Sequence, residues 1–328
     1  MIPNRPRVRL TNGPTPLEHL PRLSAHLGGP RILMKRDDSQ SLGLGGNKIR
    51  KLEFHLGAAL AAGATEVITT GALQSNHARL TAAACAKLGL NCHLILKPAV
   101  PRDNVAYTAN GNLVLNALAG AQVTWVEAKA DSLAEMHALS TRLEAQGRKV
   151  WIVPMGGSDA LGSLGYVVAA DEILDQTASE GSPSAVVVAS GSGGTHAGLL
   201  AGLTQRGFAG SLEGACVYET AQGQLGKVQR LTAETLALLD PDTPLPAGAV
   251  RCCDSQLGPA YGIPTQAMHE ALSLVARLEG IYLDPVYSGK AMAWLIANIA
   301  KWSRDETVVF VHTGGSPALF AYPEIFLG

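Results

Sequence analysis

Charge is scarce in this chain. Asp, Glu, Lys and Arg make up 16% of 328 residues, and the net formal charge is −1. No basic stripe with interleaved aromatics is present, so nucleic acid is not an expected partner. The five cysteines include no C-x-x-C pair, so neither a zinc site nor a disulfide framework is indicated, and no metal is expected. No apolar run reaches membrane-spanning length. The opening MIPNRPRVRL carries charges where a signal peptide needs an apolar core, which points to a soluble, cytoplasmic protein. There is no fixed-period repeat and no low-complexity tract.

What is plentiful is apolar residue and glycine. Hydrophobic residues reach 47%, with 36 glycines, a balance that suits strands covered on both faces and joined by tight turns. In order, the pattern predicts a helix over Leu17 to Leu27, a strand at Ile32 to Met34 and a helix from Lys48 to Ala62. A strand at Val67 to Thr70 follows, then a helix ending near Leu88 and a strand at Cys92 to Leu96. Next come a helix across Asn110 to Leu118, a strand at Val123 to Val126, a helix over Leu133 to Gln146 and a strand at Val150 to Val153. A helix beginning near Ser163 precedes a continuous apolar strand at Ala185 to Ala189. Strands near Leu212 to Val217 and Val308 to His312, and helices near Gln266 to Glu279 and Lys290 to Trp302, complete the pattern. Ala233 to Val250, rich in Pro, Asp and Leu, reads as a long surface connection. Such alternation argues for α/β architecture: two doubly wound domains with mostly parallel sheets and polar loops gathered at the strand C-termini. The expected division is a smaller inserted domain over 51–155 and a larger one from 1–50 plus 156–328, with the cleft between them.

Five stretches carry chemistry. GLGGNKIRK, from Gly43, brings a glycine turn into a helix start and holds Lys48 at its mouth. A desolvated lysine of this kind suits Schiff-base chemistry. It is not a P-loop, because Asn47 precedes the lysine and Ile49 follows it. The apolar strand before Gly191-Ser192-Gly193-Gly194-Thr195-His196 makes a strand–turn–helix anion site. His196 occupies the place where a dinucleotide fingerprint needs a small residue, although Glu213 and Glu219 lie near the distance of its acidic residue. A lone phosphate suits the turn better. Gln74-Ser75-Asn76-His77 sets four polar side chains at another strand-to-helix turn, where Ser75 or Asn76 could equally be a helix cap. Tyr261 and Tyr287 stand in Gly/Pro-framed loops, and Thr313 precedes Gly314-Gly315 at the end of a strand.

GGNKIRKLEF, GALQSNHARLTAA, ASGSGGTHAG, LDPVYSGKAM and HTGGSPALF occur in the order and rough spacing of one family. The chain resembles the pyridoxal-phosphate enzymes of the tryptophan-synthase-β-like fold, in the group that contains 1-aminocyclopropane-1-carboxylate (ACC) deaminase and D-cysteine desulfhydrase. The resemblance runs from PTPLEHLPRL at Pro14 to the last strand. It implies pyridoxal 5'-phosphate held as a Schiff base on Lys48, with Asn47 and Lys51 beside it. It also implies Asn76 against the phenolate oxygen and Gly191, Ser192, Gly193, Gly194 and Thr195 around the phosphate. Ser75, Asn76 and His77 would face the substrate carboxylate, with Tyr261 and Tyr287 over the reacting carbons. Ser288 and Thr313 stand where the deaminases carry Glu and Leu, so a hydroxyl of one of them would partner the ring nitrogen. The implied reaction is β-elimination on a small amino acid, D-cysteine first, with L-cysteate second and ACC ring opening last. A homodimer is the family expectation. Leu80 stands where relatives usually have Gln.

Overall fold

The computed structural model describes residues 5–327. Ten strands form two sheets: β1 (Leu17–His19), β2 (Arg31–Arg36), β3 (Glu66–Ala72), β4 (Asn91–Lys97), β5 (Gln122–Trp125), β6 (Val150–Ile152), β7 (Ala185–Ser190), β8 (Ser211–Cys216), β9 (Arg251–Cys253) and β10 (Thr307–His312). The larger sheet has the order β1-β2-β10-β7-β8-β9 and the smaller β5-β4-β3-β6. Every pairing is parallel except β1 with β2.

Alternation along the central strands sends side chains to two buried faces. Val187, Ala189, Val308 and Phe310 join one core with Leu272, Val275 and Trp294, from helices Gln266–Glu279 and Ser288–Ala297. Val186, Val188, Val309 and Val311 join another with Tyr166, Ile173 and Leu199, from helices Ala160–Thr177 and Gly194–Gln205. A run such as AVVVAS therefore reads as uninterruptedly apolar because neither face meets water.

Three expectations need correction. Leu17 to Leu27 is not one helix: Leu17–His19 pairs antiparallel with β2, and the helix is Pro21–Leu27. Proline lacks an N–H and clashes inside a helix but fits its first position, so Pro21 marks the start. Ala233 to Val250 is not all connection. A helix runs from Ala221 to Leu239, capped by the Thr220 hydroxyl at Gly223 N–H, and the edge strand β9 follows. The helix expected over Lys290 to Trp302 is Ser288–Ala297, continued by a 3-10 turn at Ile299–Lys301.

One buried network ties the end of β2 to helices Lys48–Ala61 and Ala160–Thr177. Arg50 donates to Asp37 Oδ2 at 3.0 Å and to Glu172 Oε1 at 2.8 Å, and Lys35 Nζ lies 2.7 Å from Glu172 Oε2. Thr15 and Tyr166 hydroxyls also donate to Asp37. Two cations thus face two anions. Burial alone would raise the Asp37 carboxyl, but Arg50 and the Tyr166 hydroxyl hold it below its ordinary value. Glu172 is lowered by Arg50 and Lys35 in the same way. Removing one member leaves the others uncompensated in a dry site. Asp37→Asn is therefore expected to destabilise the fold by about 3–5 kcal/mol, measured by urea unfolding. Because both folded-state values are depressed, this stabilisation is complete above the ordinary carboxylate range and disappears as pH falls through the lowered values. The variant should show a correspondingly shallower acid limb in a stability–pH profile.

Candidate active site

A cavity of about 650 Å³ lies between the two sheets, walled by the loops that follow β3, β6, β7 and β10. Lys48 enters it from the first turn of helix Lys48–Ala61. The loop ahead of that helix passes so close to its neighbours that a Cβ on Gly45 (φ +70°) would stand 1.9 Å from the Asp38 carbonyl oxygen. Gly46 N–H donates to Asp37 O and Asn47 N–H to Thr313 O, which pins the helix start to the ends of β2 and β10. Burial lowers the Lys48 amine to about 8, against a smaller raising effect of its contact with Lys51. Lys51 lies well below its ordinary value, through burial and then the Lys48 charge.

The turn after β7 lines the cavity with Gly191, Ser192, Gly193 and Thr195, and Ser158, which sequence reading did not single out, packs against it. Ser158 Oγ is 2.7 Å from Ser192 Oγ and accepts from Lys51 Nζ at 2.9 Å. Asn47 Nδ2 donates to Thr195 Oγ1 at 2.9 Å. A Cβ on Gly194 would meet Ser158 Oγ at 2.8 Å and Lys51 Nζ at 3.0 Å. A helix N-terminus, a buried lysine amine whose protein acceptors are neutral oxygens, and several hydroxyls suit a phosphate dianion, whose charge would restore the proton affinity of that amine. The signal for Ser158 was the Gly156-Gly157-Ser158 loop after β6. Gly193 differs from Gly194: its Cβ would point toward Leu231 and Lys227, so its φ of +89° is what demands glycine there.

The turn after β3 brings Ser75, Asn76 and His77 to the same cavity. Ser75 is the helix cap, accepting from Ala78 N–H at 3.2 Å, and its own proton remains to be donated. Asn76 Oδ1 accepts from Arg79 Nη1 and Asn112 Nδ2, each at 3.0 Å. Its Nδ2 is therefore the free face of the amide. His77 Nε2 donates to Thr69 Oγ1 at 2.8 Å, because the Thr69 proton goes to Val153 O. Burial, then Lys48 and Lys51, push the His77 imidazole well below its ordinary value. Neutral, with an unpartnered Nδ1, it presents only a lone pair. That does not suit a carboxylate, the role expected of it.

Tyr261 and Tyr287 meet hydroxyl to hydroxyl at 2.5 Å, and Tyr218 packs edge-on against Tyr261 at 5.1 Å. Burial raises both Tyr261 and Tyr287, so each keeps its proton at neutral pH. Tyr218 lines the cavity too, and its position just past β8 was the overlooked signal. Thr313 lines the cavity, but Ser288 is absent from its lining. The Ser288 hydroxyl donates to Asp284 Oδ1 at 2.6 Å and accepts from Asp284 N–H at 2.8 Å, so it serves the start of helix Ser288–Ala297. A glutamate at 288 would enter the Asp284 cluster, where like charges repel. Leu80 packs beneath Gly43 and Gly46, outside the cavity lining.

Together these features place a buried lysine of lowered proton affinity and a glycine-rich strand–turn–helix on one cavity, a combination suited to an enzyme with a phosphorylated carbonyl cofactor. Residues 8–314 match the family described as "Pyridoxal-phosphate dependent enzyme", and the chain belongs to it. Pyridoxal phosphate is its cofactor. A D-cysteine desulfhydrase of Klebsiella pneumoniae subsp. pneumoniae is 49% identical over 97% of this chain and 96% of its own length. One of Salmonella typhi is 46% identical over the same shares. The crystal structure of an "ACC deaminase homologue" superimposes with a TM-score of 0.88 at 36% identity, covering 98% of this chain and 95% of the other. A T.th. threonine deaminase, at TM-score 0.67 and 19% identity over 92% of each chain, shares the fold. That fold is tryptophan-synthase-β-like. Among the described residues, no helix is long and apolar enough to cross a membrane.

Two outcomes follow from this geometry. Only the neutral amine of Lys48 is nucleophilic, so cofactor uptake by the apoprotein, followed as growth of its visible band, should accelerate with pH and level off above about 8. Gly194→Ala should weaken cofactor binding about tenfold or more, the loss of one charge-assisted contact, when the cofactor is titrated into apoprotein.

Proposed function

We propose that this enzyme catalyses β-elimination on a small amino acid, D-cysteine first of all, releasing pyruvate, ammonia and hydrogen sulfide. The observation that carries the reading is a neutral hydroxyl, Thr313, at the end of the cavity where an ACC-opening enzyme needs an acid. The nearby carboxylate of Asp284 is spent on Ser288 and on the N–H groups of Val286 and Tyr287. ACC has no α-hydrogen, so opening its ring requires a strongly protonated pyridine, which a carboxylate would maintain. An amino acid with an α-proton and a thiolate leaving group demands less. The near-full-length identity with D-cysteine desulfhydrases supports the same choice.

Pyridoxal phosphate, when bound, supplies the electron sink for the carbanion chemistry. The cup of Gly191, Ser192, Gly193, Gly194 and Thr195, with Lys51, Asn47 and Ser158, anchors its phosphate, and Asn76 Nδ2 faces its phenolate. The Ser75 hydroxyl and neighbouring N–H groups hold the substrate carboxylate. Lys48 Nζ, with its lowered proton affinity, suits removal of the α-proton. Tyr261 and Tyr287, held neutral and linked by one hydrogen bond, can deliver a proton to the departing sulfur. We further take 51–155 as a smaller domain within a larger one, and the working form as a cytoplasmic homodimer. All four strands of the smaller sheet lie between Glu66 and Ile152, which supports that division.

The test begins with borohydride reduction, which should fix the cofactor on Lys48 in peptide maps. Pyruvate is then measured from D-cysteine, L-cysteine and L-cysteate, and 2-oxobutyrate from ACC. D-cysteine should dominate and ACC should give almost no product. Sulfite from L-cysteate well above sulfide from D-cysteine would replace this reading with a sulfo-lyase. Efficient ACC turnover would defeat the Thr313 argument.

A further inference from the structure

Arg79 stands in the second turn of helix Asn76–Leu88 and is 1% exposed. Its Nη1 donates to Asn76 Oδ1 at 3.0 Å and Asn112 Oδ1 at 2.7 Å, and its Nη2 to the Gly45 carbonyl at 2.8 Å. Its Nε has no partner. These acceptors are all neutral; among the described residues the guanidinium makes no ion pair, and the nearest opposing charge is the Asp284 carboxylate, which acts on it at longer range and flanks Gly315 opposite Asn76 Nδ2. Arg50 offers the contrast, being as deeply buried but facing two carboxylates. Desolvating a cation without a counter-ion opposes folding, whereas a neutral amide could make comparable hydrogen bonds without that penalty. What arginine adds at this place is positive charge.

The hydrogen bonds of Arg79 end on the cofactor machinery. Gly45 belongs to the loop that presents Lys48. Asn76 is the amide whose Oδ1 is held by Arg79 and Asn112, and whose Nδ2 faces the cavity. A donor to Oδ1 that carries a full charge polarises the amide and strengthens the N–H bonds on its other side. We propose that Arg79 is a positioning residue that sets a positive potential at the phenolate end of the cofactor, delivered through Asn76. This rests on the reading of Asn76 as the phenolate partner.

The phenol of the borohydride-reduced enzyme tests it, because the cofactor is then fixed on Lys48 and cannot dissociate. A nearby cation favours the phenolate, so wild type should hold the phenol midpoint low in an absorbance–pH titration. Arg79→Gln should raise it by about one pH unit, a tenfold gain in proton affinity, while Arg79→Lys stays near wild type. Asn112→Asp sets a carboxylate against the guanidinium and also removes the Nδ2 donor to Asn76 Oδ1 and Gln74 O; both changes should raise the midpoint, and it serves if Arg79→Gln does not fold. Asn76→Ala is the control for the underlying reading and should also raise it. An unmoved midpoint in Arg79→Gln and Asn112→Asp, with Asn76→Ala shifted, would overturn the role of Arg79 while leaving Asn76 in place. An unmoved midpoint in Asn76→Ala would remove the phenolate assignment and this inference with it. An equal shift in Arg79→Lys and Arg79→Gln would show that shape, not charge, is what matters.

Discussion

Three cations occupy the first turn of one helix, and the structure depends on giving each a different environment. Lys48 and Lys51, three residues apart, share a face of the helix, Lys48 lining the cavity and Lys51 reaching Gly156 O and Ser158 Oγ, while Arg50 looks away. Arg50 is neutralised at once by Asp37 and Glu172, which locks the helix to β2 and to helix Ala160–Thr177. Lys51 donates only to neutral oxygens, of Gly156 and Ser158, and burial and the neighbouring Lys48 lower its proton affinity. Lys48 has no counter-ion of its own and gives up affinity for its proton instead. The rigid ion network and the reactive amine are thus two sides of one helical turn. Fixing the first holds the second in position.

The same logic extends around the cavity. Buried groups whose charge would help chemistry are held in the form that helps it. Tyr261 and Tyr287 stay protonated because a phenolate there would be desolvated, and for Tyr261 also because it would face the Tyr287 oxygen. His77 stays neutral because burial and two lysines oppose a third positive charge. Asp284, by contrast, keeps its carboxylate fully occupied by backbone and Ser288 donors, so it contributes to the start of a helix. Acid, base and structural roles are therefore separated by environment more than by residue type.

Much of the site was legible because its signals are local. A buried strand feeding glycine and then a helix start is one continuous stretch, so the turns that carry Lys48, Asn76 and Gly191 could each be located locally, while their roles were read only from five motifs taken together. Strand and helix periods located most elements for the same reason. The errors fell where local pattern permits two outcomes. Leu17 to Leu27 has helical spacing, but Pro21 divides it and β2 recruits the first part as an edge strand. The Ala221–Leu239 helix was obscured by the Pro-rich loop that follows it.

What the sequence determined by itself was the set of chemical groups, their family and the strand–turn–helix units that carry them, because those depend on contacts within a few residues. Only the tertiary structure decided which way those groups face. Ser158 reaches Ser192 across two sheets, and no spacing along the chain announces that contact. Ser288 and Thr313 look equivalent as hydroxyls, yet Asp284 takes one and the cavity keeps the other. Arg79 and Arg50 look equivalent as cations, yet one is paired and one is not. The reason is physical. Burial, hydrogen-bond partners and proton affinity are set by whatever packs against a side chain, and in this fold those neighbours come from strands and loops far away in the chain.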